Sequence, residues 1–305
     1  MIRGIRGSAI LALFLLMTLP LMPVQALLIA LGSPLARHLP TWYHRRVCRL
    51  LGIRIRVTGQ LQAGRPLLVV ANHVSWLDIP VMSTLGPVSF IAKREVGTWP
   101  FIGWLARLQR TAFVDRDRRS AARDQAGEIA RRLAAGDTMI LFPEGTTGDG
   151  NRLLPFKSTL LGAAVPGRGD RMVAAEGSPG RAAALADLAV PDRPLVQTLA
   201  IAYTHVHGMP IGRMLRPVFA WYGDMDVPGH AFEVLKSGPI DVRIAIGEPV
   251  ALDTIPDRKV LARYAESRIA SDFARLLRLE EPLPPHVDPE RHGAAAGLYV
   301  ARGRE

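Results

Sequence analysis

Residues 65–80 read "RPLLVVANHVSWLDIP". Leu67 to Ala71 form an unbroken apolar run between Pro66 and Asn72. A run that short, apolar at consecutive rather than alternate positions, predicts a strand buried on both faces. Such strands belong to layered α/β folds, in which helices flank a central sheet. His73 and Asp78 follow the run directly, five positions apart. In open α/β sheets, functional side chains gather on loops just past strand ends. The stretch therefore bears on both the fold class and the first candidate site.

Similar signals recur on either side. "IRIRVTG" at 53–59 alternates with period two and predicts a strand. "SFIAKREV" at 89–96, "TAFVDR" at 111–116, "DTMILFPEGT" at 137–146, "PLVQTLAIAYT" at 194–204 and "IDVRIAIGEPV" at 240–250 predict five more. Between and after them, helices are expected from Ser120 to Ala135, closed by Gly136, and from Thr254 to Leu279. The expected fold is α/β, a central and mostly buried β-sheet flanked by helices. The stretch 165–194, rich in Ala, Gly, Pro and Arg, is expected to be a mobile insertion. Residues 283–305 are expected to be a flexible tail.

The N-terminus has a different character. Ser8 to Leu31 is twenty-four residues without a charge, long enough to span a hydrocarbon core of roughly 30 Å. A cleaved signal would have a shorter apolar region and a small-x-small site, which "VQA" at 24–26 matches poorly. Pro20 and Pro23 interrupt a simple straight helix. The reading is a hydrophobic membrane anchor, either a kinked span or a helical hairpin in one leaflet. A very hydrophobic core helix would have the same composition. Trp42 and Tyr43 then stand among Arg45, Arg46 and Arg49, a composition suited to a membrane interface. The expected organisation is an anchor with its interfacial segment at 1–50 and a main domain at 51–282.

The formal net charge of +11 favours anionic partners, here an anionic membrane surface. The arginines are dispersed and no nucleic-acid recognition motif appears, so no nucleic-acid partner is expected. The lone Cys48 excludes an intramolecular disulfide. No Cys/His cluster has zinc-ligand spacing, and no metal site is expected.

Two short blocks carry chemistry. Neutral imidazole accepts a proton near neutral pH, and a carboxylate on its other nitrogen fixes the tautomer. His73 and Asp78 could form that pair. Their spacing requires them to meet across a turn or an irregular first helical turn. The other reading makes Asn72 and Asp78 helix caps, with His73 packed passively. "LFPEGTT" at 141–147 ends a strand with Pro143 and with Gly145, which permits positive φ. Glu144 and the threonine hydroxyls could orient a hydroxyl or a phosphate.

Taken together, the N-H-x4-D pattern at 72–78, "RTAFVDR" at 110–116 and "FPEGT" at 142–146 resemble the glycerolipid acyltransferase family. The bacterial 1-acylglycerol-3-phosphate acyltransferases are its best match in pattern, over roughly residues 50–250. The resemblance implies that His73 deprotonates the free hydroxyl of a lysolipid acceptor and that Asp78 orients His73. The donor would be a thioester of acyl carrier protein or of CoA, with no cofactor beyond that co-substrate. Glu144, Gly145 and Thr146 would bind the acceptor headgroup, Arg116 its anionic part, and Lys93 a phosphate or the donor. The implied location is the inner (cytoplasmic) membrane, with the active site facing the cytoplasm.

Three departures bear on the acceptor. The arginine usual after "EGT" is Thr147 here, and Arg152 is the nearby substitute. Arg110 stands where the second block usually has glycine, which would add charge near the site. The fourth block, "VQTLAIAY" at 196–203, lacks its usual proline. The run "HVHGMPIGRMLRPVFAWYGDMD" at 205–226 resembles a branch that acylates lyso-ornithine lipid or related aminolipids. Both lysophosphatidic acid and lyso-ornithine lipid remain candidate acceptors. Other classes are a lipid hydrolase, against which the absence of G-x-S-x-G counts, and a non-catalytic membrane-binding protein on the same scaffold.

Overall fold

The computed structural model of the chain describes residues 2–115, 119–162 and 194–280. The expected insertion at 165–194 lies outside the described residues but for Pro194, and the expected tail at 283–305 lies wholly outside them.

The chain begins with α1 (Ile2–Ala30), a short turn and α2 (Leu35–Leu51). The sheet follows: β1 (Ile53–Thr58), β2 (Leu67–Ala71), α3 (Asp78–Ser83), β3 (Val88–Lys93), α4 (Ile102–Leu108), β4 (Ala112–Val114), α5 (Arg119–Ala134) and β5 (Thr138–Leu141). After α6 (Ser158–Leu161) come β6 (Leu195–Val206), β7 (Met209–Pro210), α7 (Val227–Ser237), β8 (Ile240–Ile246), β9 (Val250–Ala251) and α8 (Arg258–Leu277). The main strand order is β1-β8-β6-β2-β5-β3-β4, with β7 and β9 paired to β6. This is the α/β architecture expected from the sequence, with all seven expected strands in one sheet.

β2 runs parallel to both of its neighbours, β5 and β6. Every one of its residues is buried, which is why its sequence shows no alternation. β3 and β4 continue the parallel set, while β8 runs against β6. The starts of β2, β3 and β5 are level: Leu67 and Val88 both pair with Thr138. Loops that follow these strands therefore lie at one end of the sheet, and loops that precede them lie at the other.

That geometry corrects the placement of Arg110. It precedes β4, so it sits at the end away from His73 rather than near it. There Asp137 receives Arg110 and Arg132, each at 2.9 Å, and Arg37 at 3.4 Å. The cluster ties α2, the start of β4 and α5 to the base of the sheet.

Of the two forms expected for the N-terminal segment, the structure shows a single helix rather than a hairpin. α1 continues through Pro20 and Pro23 and forms no hairpin within 8–31. Its flanking residues are apolar, so the remaining amide–carbonyl bonds have little competition from water, and two missing donors do not end the helix. One side of α1 packs on the domain. Thr18 Oγ1 lies 2.7 Å from the Tyr43 hydroxyl, and Gln25 Nε2 donates to the carbonyls of Ala36 and Leu108, both at 2.9 Å. The other side exposes Leu13, Leu16, Leu19 and Leu27. The C-terminal helix starts later than expected, at Arg258, after a 3₁₀ turn at Leu252–Thr254. Pro256 breaks the run, and Asp257 caps the helix by accepting from the amides of Lys259 and Val260.

Candidate active site

β2 delivers its chain directly into the site. Asn72, the first residue past the strand, is no helix cap. Its amide donates to the carbonyl of Ile201 at 3.0 Å and its carbonyl accepts from the Ile201 amide at 2.8 Å. This stitches the end of β2 to β6, which extends well past it. The chain then turns through 73–77 and enters α3 at Asp78. The turn folds His73 back onto Asp78, with Nδ1 and Oδ2 2.7 Å apart.

Asp78 is fully buried. Its Oδ2 also accepts from the amides of Val74 at 2.7 Å and Ser75 at 3.0 Å, and its Oδ1 accepts from the Tyr203 hydroxyl at 2.7 Å. Four donors offset the cost of burying the carboxylate. They also settle the ring's bonding. Nδ1 is the donor to the carboxylate, which leaves Nε2 as the acceptor of the imidazole. The ring lies flat on Phe142, with centroids 3.9 Å apart and planes 11° apart. His73 remains partly exposed, with 18% of its side chain accessible.

Glu144 braces this loop from β5. Its Oε1 accepts from the His73 amide at 2.7 Å and its Oε2 from the Leu154 amide at 2.9 Å. The amide of Gly148 adds a bond to the His73 carbonyl at 2.9 Å. Glu144 is buried, and burial pushes its carboxyl up to about 7. The two amide bonds pull the other way, while Asp78 and Glu266 reinforce the rise.

The remaining candidates are spread more widely. Gly145 takes φ of +75°, the left-handed conformation that favours glycine. Thr146 is exposed and Thr147 is buried. Arg152 is exposed on the loop that leads back to Leu154. Lys93 is exposed at the end of β3. Arg116 lies outside the described residues. The structure thus brings His73, Asp78 and Glu144 into one bonded unit, with Gly145 and Thr146 following directly in the chain.

Tyr203 was not singled out in the sequence. A lone tyrosine in an apolar strand has no distinctive period, and Asp78 is 125 residues away. Phe142 and Asn72 lie within the motifs, but local spacing does not encode their contacts with His73 and Ile201. A further wall comes from the segment after β7. The Trp221 amide donates to the Val74 carbonyl at 3.0 Å. Trp76 Nε1 donates to His230 Nδ1 at 3.0 Å. The rings of Trp221 and Trp99 meet edge to face at 5.8 Å. Among the described residues, no group of three or more His, Cys, Asp or Glu could hold a metal ion.

Comparison with known proteins identifies the family of the chain. The family pattern described as Acyltransferase matches residues 54–173. A lyso-ornithine lipid O-acyltransferase of Brucella abortus is 48% identical over 269 residues, 88% of this chain and 94% of that protein. A protein of the same description from Rhizobium meliloti is 43% identical over 282 residues, 91% of this chain and 89% of the other. A 1-acyl-sn-glycerol-3-phosphate acyltransferase of Neisseria gonorrhoeae is 40% identical over 112 residues, which is 34% of this chain and 44% of that protein. The crystal structure of the 1-acyl-sn-glycerophosphate (LPA) acyltransferase PlsC of Thermotoga maritima shares the fold, with a TM-score of 0.59 at 23% identity, covering 90% of this chain and 95% of that one. Full-length likeness to the first two relatives and the matching family pattern lead to one conclusion: the chain belongs to the glycerolipid acyltransferase family, in the O-acyltransferase branch that these two relatives represent.

Proposed function

We propose that this enzyme moves a fatty acyl group from a thioester of acyl carrier protein or CoA to the free hydroxyl of lyso-ornithine lipid, with His73 as general base. The observation that carries the reading is the His73–Asp78 contact at 2.7 Å, just past the end of a buried parallel strand. Asp78 holds Nδ1, so Nε2 is the atom that takes the acceptor's proton. The acceptor oxygen forms a new bond to the thioester carbonyl carbon. Collapse of the tetrahedral intermediate breaks the carbon–sulfur bond, and the imidazolium returns its proton to the leaving thiolate. The products are an ester and a free thiol, with no acyl-enzyme between. General base catalysis contributes about 10²–10⁴-fold, and positioning of the two substrates adds to it.

Glu144 has both carboxylate oxygens engaged with backbone amides. Its role in this scheme is to hold the catalytic loop, leaving Gly145, Thr146, Lys93, Arg116 and Arg152 as the candidates for substrate contact. Two observations favour the phosphate-free aminolipid over lysophosphatidic acid. The lyso-ornithine relatives match almost the whole chain, whereas the Neisseria relative matches a third of it. Thr147, at the position where the family usually has an arginine, is buried. The exposed apolar side of α1 supports membrane attachment, with the basic α2 at the interface, and the implied setting is the cytoplasmic face of the inner membrane.

A competition tests the proposal. The purified protein receives lyso-ornithine lipid and lysophosphatidic acid together, with labelled acyl donor on carrier protein or on CoA. Label is expected in the aminolipid and absent with His73→Ala. Label in phosphatidic acid alone would reverse the acceptor and direct attention to Arg152. Release of labelled free fatty acid would mark a hydrolase.

A further inference from the structure

Outside α1, α2 and the turn between them, eight large apolar side chains are exposed among the described residues. Five of them fall between residues 209 and 225: Met209, Met214, Leu215, Val218 and Met225. Met214 is 89% exposed and Met209 65%. Scattered surface apolar groups are ordinary, but a cluster of this kind marks a contact surface. Arg213 is exposed within it, and Arg216 borders it.

The cluster is anchored beside the catalytic loop. Trp221 is bonded to Val74, next to His73, and Arg216 Nη1 donates to Asn151 Oδ1 at 3.3 Å. A Cβ on Gly150 would meet Val74 at 3.3 Å and Arg216 at 3.7 Å, so the segment sits closely on the loop that follows "FPEGT". Its far end runs into α7, where Asp226 caps the helix. α7 packs in turn on the start of α1, where a Cβ on Gly7 would meet Lys236 at 3.0 Å and Phe232 at 3.3 Å. α1, α7 and segment 209–225 are therefore linked by contacts, α7 meeting α1 at the buried Gly7.

We infer that segment 209–225 is a second membrane-contacting element, which seats its methionines and Leu215 at the boundary of headgroups and acyl chains next to His73. The inference rests on the proposal that the enzyme takes a lysolipid from a bilayer. Flexible methionines fill irregular apolar surroundings, and interleaved arginine suits anionic headgroups. Contact at this point brings the catalytic loop to the depth where a lysolipid hydroxyl lies.

The test uses the full chain in vesicles of phosphatidylglycerol and phosphatidylcholine, some carrying bromine on the acyl chains. Cys48 is buried and stays unlabelled, so single dyes can be placed through Met214→Cys, Leu16→Cys and Val57→Cys. Quenching at 214 and 16, with none at 57 on the edge strand β1, is the expected result. Quenching at 16 alone would overturn the inference and leave the anchor standing. Quenching at none would remove both, and quenching at all three would show non-specific adsorption and overturn it too. Protection of the dye at 214 by acyl carrier protein, without lipid quenching, would make the segment a carrier-docking surface instead. A paired Met214→Ser/Leu215→Ser variant should lose about tenfold or more in turnover of vesicle-embedded acceptor, while keeping turnover of detergent-dispersed acceptor. Equal loss in both formats would overturn the membrane role.

Discussion

At the scale of single residues, the proposed mechanism depends on how completely Asp78 is occupied. In that mechanism His73→Ala removes the base and Asp78→Ala its orienter, and each should lower kcat by roughly 10³-fold or more, with membrane attachment intact. Steady-state turnover alongside vesicle sedimentation checks this; loss of both properties together would indicate misfolding. Tyr203 acts at one remove from the reacting atoms. Tyr203→Phe leaves Oδ1 of a fully buried carboxylate without its donor. The expected cost is about 1–3 kcal/mol of stability. The kcat of the folded variant, read well below its thermal midpoint, should fall as well, because Asp78 is held less firmly against His73. A stability change with an unchanged kcat would make Tyr203 purely structural.

At the scale of elements, the catalytic loop is a joint between three strands. Asn72 ties β2 to β6, and Glu144 ties the end of β5 to both His73 and Leu154. Asn72→Asp would set a carboxylate against the Ile201 carbonyl, and a loss of about 2–4 kcal/mol in denaturant unfolding is expected. Glu144 gives the joint a pH dependence. Its pKa is about 7 in the fold against an ordinary 4.5. Between those values the folded chain holds a proton that the unfolded chain has released. Its contribution to stability is therefore full below about pH 4.5, declines as pH rises, and is gone above about 7. Glu144→Gln cannot ionise, so the wild-type thermal midpoint should fall relative to that of the variant across this window. Parallel curves would refute the assignment.

At the scale of the whole molecule, α1 is part of the fold as well as the proposed membrane element. Ile10 is buried in the core, and Gln25 holds Ala36 and Leu108. Removing residues 2–30 should therefore release the protein from vesicles and also lower its thermal midpoint. Leu13→Ser with Leu16→Ser, on the exposed side, should weaken vesicle binding with the midpoint unchanged. A truncated chain with an undiminished midpoint would reduce α1 to a detachable anchor.

The sequence by itself was enough for the strands and the layered class, and it offered the His73–Asp78 pair beside a capping alternative, because these are local. An unbroken apolar run records burial on both faces, and a five-residue turn records the meeting of two side chains close in the chain. α1 was legible as a long apolar helix for the same reason, although its continuity through two prolines was not. Only the tertiary structure decided what surrounds the pair. β2 lies between β5 and β6, an order that no local period encodes. That order brings Glu144 under His73 from 71 residues away and Tyr203 onto Asp78 from 125. The same parallel sheet carries Arg110 to the opposite end, where it joins Asp137. Periodicity reports which face of an element is buried. Which distant side chains share that burial depends on strand order and direction, and these are properties of the assembled sheet.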